Sequence, residues 1–320
     1  MSGIVPNRSC ISEFLILGFY DSPKIPLFLL FLLMYLFTVL NNFLIIVLIY
    51  LETNLHKPMY FFLCNMSVLD ILYTSVTAPN LLYIILSENN RISFGACITQ
   101  LFMFNSLGTV EYMLLTSMAY DRYQAICNPL GYHRNLNEKS CLVLSGGTWL
   151  GGFIASLPIN ISIGSLCYCL SNQIDHIYCD LTPLLKLACD DTSPTNLLIF
   201  VEGNLIGLTC FIFTVTSYVF IIRAILKVCN VKGRVKAFST CASHLTVVIL
   251  FYVLIACMYM KPTSSNSLHD EKILSVLFVN IIPIINPVIY TLRNNDVKEA
   301  VKKIIHGAII VFFKTCKICI

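Results

Sequence analysis

The chain has 320 residues, of which 57% are hydrophobic and 12% are charged, and its formal net charge is +4. Ordinary soluble domains carry about 25% charged residues, so the composition excludes a water-facing globular fold. It also excludes a disordered chain, which contains few apolar residues, and it leaves a polytopic membrane protein.

Seven apolar stretches follow one another along the chain. Each is close to the roughly 20 residues that a membrane-crossing helix needs. They predict an all-α membrane protein whose residues 25–292 form a seven-transmembrane helix bundle. The predicted helices lie at about 25–51, 58–86, 92–122, 140–161, 196–223, 237–260 and 271–292.

The two ends of the chain lie outside this predicted bundle. Residues 1–24 precede it, and residues 293–320 form a tail. In the tail, an apolar stripe lies beside basic side chains, which is typical of a helix in the membrane interface. The stripe consists of Val297, Ala300, Val301, Ile304 and Ile305. The sequence therefore predicts a short interfacial eighth helix.

Lysine and arginine residues are shared unevenly between the two sides of the predicted bundle. Fifteen of the 21 fall on the side that carries the tail, and cytoplasmic loops carry the excess of positive charge. We therefore expect a multi-pass plasma-membrane protein with an extracellular N-terminus. No cleavable signal peptide is recognisable, so the first helix would direct insertion. Asn7-Arg8-Ser9 is a glycosylation sequon on the outer side, and we predict that Asn7 is modified.

Six of the 15 cysteines lie on the predicted outer side, where an oxidising compartment favours disulfides. They are Cys10, Cys97, Cys167, Cys169, Cys179 and Cys189. A bond from Cys179 to Cys97 would fix the middle of the long loop at 162–195 over the bundle mouth, and one from Cys169 to Cys189 would close that loop. Spacing alone does not decide the pairing. His176 and Cys179 could together ligate a metal ion. The stronger interpretation is that Cys179 forms a disulfide and that His176 is hydrated.

Two carboxylic acids interrupt the predicted spans. Asp70 lies about 18 Å into its helix, and Glu111 lies at a similar depth in the next one. Buried like charges repel unless they share a proton or a cation. With Asn42 and Asn286, which also lie within spans, they suggest a hydrated polar core that holds a sodium ion. The alternative, held at nearly equal weight, is a neutral hydrogen-bonded packing cluster.

The third predicted helix carries a stripe suited to transmitting a signal. Eleven residues separate Glu111 from Arg122, so the two share one face, and Phe104 shares it seven residues further out. A pore would show rings of like charge or polar backbone instead. Asp121 beside Arg122 can form a restraining ion pair at the helix end. For these residues alone, an interfacial charge pair that only marks the end of the helix is the simpler interpretation.

Residues 118–127, MAYDRYQAIC, resemble the MAYDRYVAIC signature of vertebrate olfactory receptors, which are rhodopsin-like (class A) G protein-coupled receptors. Three further segments are similar to motifs of that family. They are 58–67 (PMYFFLCNMS), 236–245 (KAFSTCASHL) and 283–294 (PIINPVIYTLRN). The motifs occur in the family's order and span nearly the whole chain.

The resemblance implies disulfides Cys97–Cys179 and Cys169–Cys189 and a cation site at Asp70 and Glu111. It also implies a set of residues for activation and G protein coupling. This set is Asp121, Arg122, Tyr123, Tyr218, Lys236, His244, Asn286, Pro287 and Tyr290. Four residues depart from the family pattern, namely Asn41, Asn80, Gln124 in place of valine, and Val253 in place of glycine. Gln124 and Val253 leave coupling strength and ligand fit open.

Ligand pockets in helical bundles lie between helices and are mostly apolar, with a few polar groups. Residues at helical spacing on the outer halves of three spans are the pocket candidates. They are Phe104, Asn105, Gly108, Thr109, Glu202, Ile206, Tyr252, Ile255 and Tyr259. Interhelical packing is the alternative for each of them, and Gly108 could serve only close helix approach. Glu202 would favour an amine or a hydrogen-bond donor, unless it faces water at the interface.

Together these features predict an odorant receptor that binds small volatile ligands and activates a stimulatory, olfactory-type heterotrimeric G protein, raising cyclic AMP. The expected partners are an odorant, the G protein and membrane lipids, without nucleic acid. No cofactor is expected apart from the candidate sodium ion. GxSxG and HExxH motifs are absent from the sequence, which argues against an enzyme. A chemoreceptor of the same fold outside the nose is the main alternative. A small-solute transporter or channel is weaker, because the chain shows no internal repeat.

Overall fold

A computed structural model of the protein describes residues 10–19, 23–87, 89–259, 267–293 and 296–303. The predicted glycosylation site Asn7 lies outside these ranges. The side chains of Lys236 and Tyr259 also lie outside the description, although the backbone of both residues is helical.

Helices make up nearly all of the described chain. They are α1 Lys24–Leu51, α2 Pro58–Ser87, α3 Phe94–Cys127, α4 Tyr132–Asn135, α5 Glu138–Gly164, α6 Leu181–Leu187, α7 Ser193–Gly203, α8 Thr209–Leu226, α9 Val231–Tyr259, α10 Ser267–Val276 and α11 Ile282–Arg293. A π-helical turn at Asn204–Leu208 joins α7 to α8, and another at Leu277–Ile281 joins α10 to α11. Residues 296–303 are also helical.

Among the described residues, six helical rods are long and apolar enough to cross a bilayer: α1, α2, α5, α7 with α8, α9, and α10 with α11. The seventh is α3, whose 34 residues reach about 51 Å at 1.5 Å per residue. That length exceeds the roughly 30 Å of a hydrocarbon core. Glu111, Asp121 and Arg122 make α3 less apolar than the other rods. Within the described residues, the structure confirms the predicted all-α membrane bundle.

Two helices extend by five residues or more beyond the apolar stretches from which they were predicted. Helix α3 continues from residue 122 to Cys127 and ends before Pro129, which disfavours a helical conformation at Asn128. Helix α9 begins at Val231 instead of residue 237. Lys232 and Val235 are exposed in its first turns, and hydropathy does not detect the part of a helix that lies outside the apolar layer.

Helix α3 lies at the centre of the bundle. Its Leu107, Val110, Leu114 and Leu115 are fully buried. Gly152 of α5 lies against α3 so closely that a Cβ atom there would lie 2.9 Å from the backbone nitrogen of Val110. Small residues allow such close approach between membrane helices. The outer helices, by contrast, present large apolar side chains outward, as lipid contact requires.

A small sheet covers one end of the bundle, called here the strand end. Its strands are β1 Glu13–Ile16, β2 Arg91–Ser93 and β3 Gln173–Ile174, in the order β2-β1-β3. Strand β1 pairs antiparallel with β2, with Phe14 opposite Ile92, and parallel with β3. The opposite end of the bundle carries α4 and is called the α4 end.

Candidate functional site

Three disulfide bonds fasten the chain at the strand end. They join Cys97 to Cys179, Cys169 to Cys189, and Cys10 to Cys167. The first two are the pairings that the family resemblance implies. The third attaches the segment before β1 to the segment after α5, and neither spacing nor the resemblance predicts it.

The segment around Cys179 closes the bundle from the strand end. The ring of Tyr178 lies 4.6 Å from that of Phe104 in α3. The backbone N–H of Cys179 donates to Oε1 of Gln100 at 3.0 Å, and Nε2 of Gln100 donates to the carbonyl of Val76 in α2 at 2.9 Å. Gln100 therefore links this segment to two helices.

His176 is buried, contrary to the hydrated histidine that the sequence suggested. Its side chain is 2% exposed, its Nε2 lies 3.1 Å from Oγ of Ser275, and its ring meets Tyr178 edge-on at 4.6 Å. Burial lowers the pKa of the imidazole below its usual value. The neutral imidazole therefore fits this closed arrangement best.

The four pocket candidates of α3 face two different neighbours. The ring of Phe104 lies 4.8 Å from that of Tyr73 in α2, and a Cβ atom at Gly108 would lie 3.8 Å from the Tyr73 hydroxyl. Asn105 and Thr109 instead approach α5, through Asn160 at 3.5 Å and Ser156 at 3.3 Å. Helical spacing placed the four residues on one face of α3 and did not show that they contact two different helices.

A chain of aromatic rings crosses the bundle below the strand end. From Phe104 it runs through Tyr73, Phe278 and Phe251 to Tyr112, with centroid separations of 4.8 to 6.0 Å. Tyr112 also contacts Tyr252, which in turn lies 5.0 Å from Phe211 of α8. This aromatic chain joins α2, α3, α8 and α9, and it contains the predicted pocket residues Phe104 and Tyr252.

The remaining pocket candidates lie on the rods that flank this chain. Glu202 of α7 and Ile206 of the π-helical turn are both half-buried. The next residue, Gly207, faces Tyr112, since a Cβ atom there would lie 4.0 Å from that ring. Ile255 packs against the main core cluster. A groove of about 350 Å³ between α8 and α9 includes Tyr252 but none of the other candidates.

Buried polar groups meet in the middle of the bundle. Nδ2 of Asn286 donates to both carboxylate oxygens of Asp70 at 3.2 Å, and Asn42 donates to the carbonyl of Pro283 at 3.1 Å. Glu111 is 3% exposed and interacts electrostatically with Asp70. Oε1 of Glu111 and Oδ1 of Asn42 have no hydrogen-bond partner among the described residues. Such oxygens are the ligands that hard cations prefer.

In the described part of the chain, no group of three or more His, Cys, Asp or Glu side chains could hold a metal ion. Two carboxylates with amide oxygens form a different donor set. The chemistry of these groups fits a monovalent ion or a shared proton.

At the α4 end, Asp121 and Arg122 form a buried ion pair. Nε of Arg122 donates to Oδ2 of Asp121 at 2.8 Å, and the guanidinium makes a second contact to the same oxygen. The hydroxyl of Tyr132 in α4 donates to Oδ1 of Asp121 at 2.7 Å. Burial, and then the charge of Asp121, raise the pKa of the Tyr132 phenol, which therefore remains a donor. Both oxygens of Asp121 are occupied.

A second polar contact near this pair links α8 to α9. The hydroxyl of Tyr218 lies 2.6 Å from Nδ1 of His244, and both side chains are buried. Tyr123 lies at the edge, with its ring 6.0 Å from that of Phe220. In α11, Pro287 and Tyr290 are buried, and the Tyr290 hydroxyl has no hydrogen-bond partner among the described residues.

Sequence reasoning missed three residues that organise these sites, namely Gln100, Tyr112 and Tyr132. Gln100 lies one helical turn before Phe104 on the same face, so helical spacing could have included it. Tyr112 lies one turn after Gly108 and could have been found in the same way. For Tyr132 the sequence gives no signal, because its partner Asp121 is reached through a turn.

The chain is similar in sequence to a family of known proteins. A family model described as olfactory receptor matches residues 31–307. Olfactory receptor 5A2 of Homo sapiens is 44% identical over 299 residues, which cover 93% of this chain and 92% of that protein. Olfactory receptor 8U9 of Mus musculus is 45% identical, covering 93% and 96%, and olfactory receptor 10G7 of Homo sapiens is 42% identical, covering 95% and 98%.

Proposed function

The chain belongs to the olfactory receptor family, and on this premise we propose that it binds small volatile odorants and activates a stimulatory, olfactory-type heterotrimeric G protein. Family membership makes it an odorant receptor and a multi-pass membrane protein, not an enzyme. The binding site, the G protein and the rise in cyclic AMP are the proposal.

The observation that carries the proposal is the buried Asp121–Arg122 pair at the α4 end. A buried ion pair is a costly arrangement unless it is well hydrogen-bonded, and here Tyr132 supplies the additional bond. The strand end, which carries all three disulfides, belongs in an oxidising compartment. We therefore assign the strand end to the outside of the plasma membrane and the ion pair to the cytosol.

The aromatic chain is the proposed floor of the odorant site, in the outer half of the bundle. A ligand resting on Phe104, Tyr112 and Tyr252 would contact α3 and α9 at once. If it fits better when the cytosolic half of α9 has moved outward, it shifts the population toward that conformation. The contact between Tyr218 and His244 would then change, and Arg122 would leave Asp121.

The α4 end has the chemistry of a partner surface. Arg223, Lys227 and Lys232 are exposed there, and Lys236 continues the basic stretch in the sequence. Leu130, between α3 and α4, is fully exposed. Exposed basic side chains and an exposed apolar side chain at the same end of the bundle suit a partner with an acidic surface and an apolar pocket, such as a G protein, and the basic residues also suit anionic lipid.

We also propose that the polar core of Asp70, Glu111, Asn42 and Asn286 holds a sodium ion in the resting receptor. The unpartnered oxygens of Glu111 and Asn42 support it. A cation there would neutralise two buried carboxylates that otherwise repel each other. It would favour the resting conformation, so Asp70→Asn should make the response insensitive to sodium.

The test of the function is ligand-driven cyclic AMP in cells that express the chain with an olfactory G protein. We expect at least one odorant of a broad panel to raise cyclic AMP, and Arg122→Ala to lower that response at least tenfold. Lys139→Ala, an exposed change on α5, is the matched control. Silence of the wild type at normal surface expression, across the panel and in constitutive assays, would contradict the proposal.

A further inference from the structure

Gln124 connects α3 with the loop and helix that follow it. Its side chain is 7% exposed. Nε2 of Gln124 donates to the Tyr120 hydroxyl at 2.9 Å, while Oε1 accepts from Nδ2 of Asn135 at 3.3 Å and from Nδ2 of Asn128 at 3.4 Å. One amide therefore contacts the helix, the turn and α4.

The contact of Gln124 with Asn135 repeats the contact of Asp121 with Tyr132. Asp121 and Gln124 are three residues apart and share a face of α3. Tyr132 and Asn135 are three residues apart and share a face of α4. Helix α4 is thus held to α3 at two points, one of them on Asp121, the partner of Arg122.

The turn between the two helices is built around the same amides. The backbone N–H of Gly131 donates to the carbonyl of Asn128 at 3.1 Å. A Cβ atom at position 131 would lie 2.6 Å from Nδ2 of Asn128, so the absence of a side chain allows the Asn128 amide to lie across the turn. This turn carries the fully exposed Leu130.

We infer that Gln124 is a positioning residue, which keeps α4 and Leu130 in one orientation at the G protein surface when Asp121 and Arg122 separate. The inference rests on the proposed function, and it concerns a residue at which this chain departs from the valine of the resembling motif. Valine has no polar group, so it leaves α4 with the Tyr132 contact alone. The contact of Gln124 does not involve the ion pair and persists when that pair opens.

The experiment compares four full-length proteins in lipid nanodiscs: wild type, Gln124→Met, Asn135→Leu, and the exchange Gln124→Asn with Asn135→Gln. Methionine keeps the length of the side chain and removes its hydrogen bonds. Amide hydrogen exchange is measured over 128–137. We expect roughly fivefold faster exchange in Asn135→Leu, the effect of losing one hydrogen bond of typical net strength, and at least that in Gln124→Met, which also loses the bond from Asn128. The exchanged pair should return toward the wild-type rate.

Binding of a purified stimulatory heterotrimer without nucleotide is the second measurement on the same four proteins. The single variants should bind about fivefold more weakly, and the exchanged pair should recover. Wild-type exchange rates and wild-type affinity in Gln124→Met would overturn the inference. A wild type that binds no heterotrimer would count against the proposed function, whereas hydrogen exchange over 128–137 would still decide whether Gln124 holds α4.

Discussion

His176 is an ionisable residue that is buried at the strand end. Burial, its largest influence, lowers the pKa of the imidazole, and Lys272 acts in the same direction. Asp180 and Glu271 act in the opposite direction but do not compensate. A histidine with a lowered pKa contributes its stability in full above its unfolded value, near 6.5, and loses it as the pH falls below that value.

Acidification should therefore destabilise the closed strand end through His176. We predict that the melting temperature of the receptor in nanodiscs falls between pH 7.5 and pH 5.5, and that His176→Gln removes a measurable part of this fall. Glutamine can still bond Ser275 but does not titrate in this range. The same pH dependence in His176→Gln and wild type would show that other groups control it.

The helix at 296–303 is attached to the rest of the bundle in two ways, by apolar burial and by ionic contacts. Val297 is 1% exposed and Ala300 is 6% exposed. Lys57 pairs with Asp296 at 2.9 Å, but about half of each side chain is exposed, at 55% and 49%. Exposed ion pairs contribute roughly 0 to 1 kcal/mol, whereas burial of a valine side chain contributes about 1.5 to 3 kcal/mol.

Apolar burial should therefore hold this helix more firmly than its ion pairs, Lys57–Asp296 and Lys303–Glu52. We predict that Val297→Ser accelerates hydrogen exchange over 296–303 at least tenfold, and that Asp296→Asn accelerates it about twofold or less. Thermal stability of the spans serves as a control, and it should change little in either variant. If Asp296→Asn accelerated exchange more than Val297→Ser, the ion pair and not apolar burial would hold this helix.

The segment that contains β1 depends on the Cys10–Cys167 bond as well as on its strand pairing. Removing both sulfurs with Cys10→Ser and Cys167→Ser should destabilise the receptor by up to about 2 kcal/mol. This is the lower part of the usual range, because two other disulfides already restrict these loops. Hydrogen exchange over 10–19 should rise, while Cys229→Ser, which changes an exposed free cysteine, should leave it unchanged. Equal exchange over 10–19 in the Cys10/Cys167 double variant and in Cys229→Ser would show that strand pairing alone holds β1 in place.

The elements differ in how far the sequence could predict them. The spans were predictable because membrane burial leaves an apolar stretch of fixed length. The polar core was predictable too, since counting residues along a helix gives depth, and Asp70 and Asn286 do meet. Pairing across space was not: Cys10 could have bonded to several cysteines. Periodicity grouped Asn105 with Phe104, but it did not show which neighbouring helix each one faces.

The two ends of the bundle differ in how easily they can rearrange. The strand end is closed by disulfides and by the side chains of Tyr178 and His176. The α4 end is closed by hydrogen bonds and ion pairs, which can rearrange without breaking covalent bonds. The aromatic chain lies between them and touches α9, which carries His244 toward the α4 end. A ligand that displaces α9 at Tyr252 therefore acts on the end where rearrangement is easy.

This arrangement of the two ends requires the strand end outside the cell, which a free cysteine can test. Cys229, between α8 and α9, is exposed and free. We predict that a membrane-impermeant maleimide leaves it unlabelled in intact cells and labels it after permeabilisation, with Cys229→Ser as the control for background. Exposed Cys257 lies within the α9 span, where lipid keeps a water-soluble maleimide away from it. Glycosidase treatment should increase gel mobility through loss of a glycan at Asn7, and Asn7→Gln should abolish that shift. Labelling of Cys229 in intact cells would place the α4 end outside and contradict both the orientation and the proposed coupling.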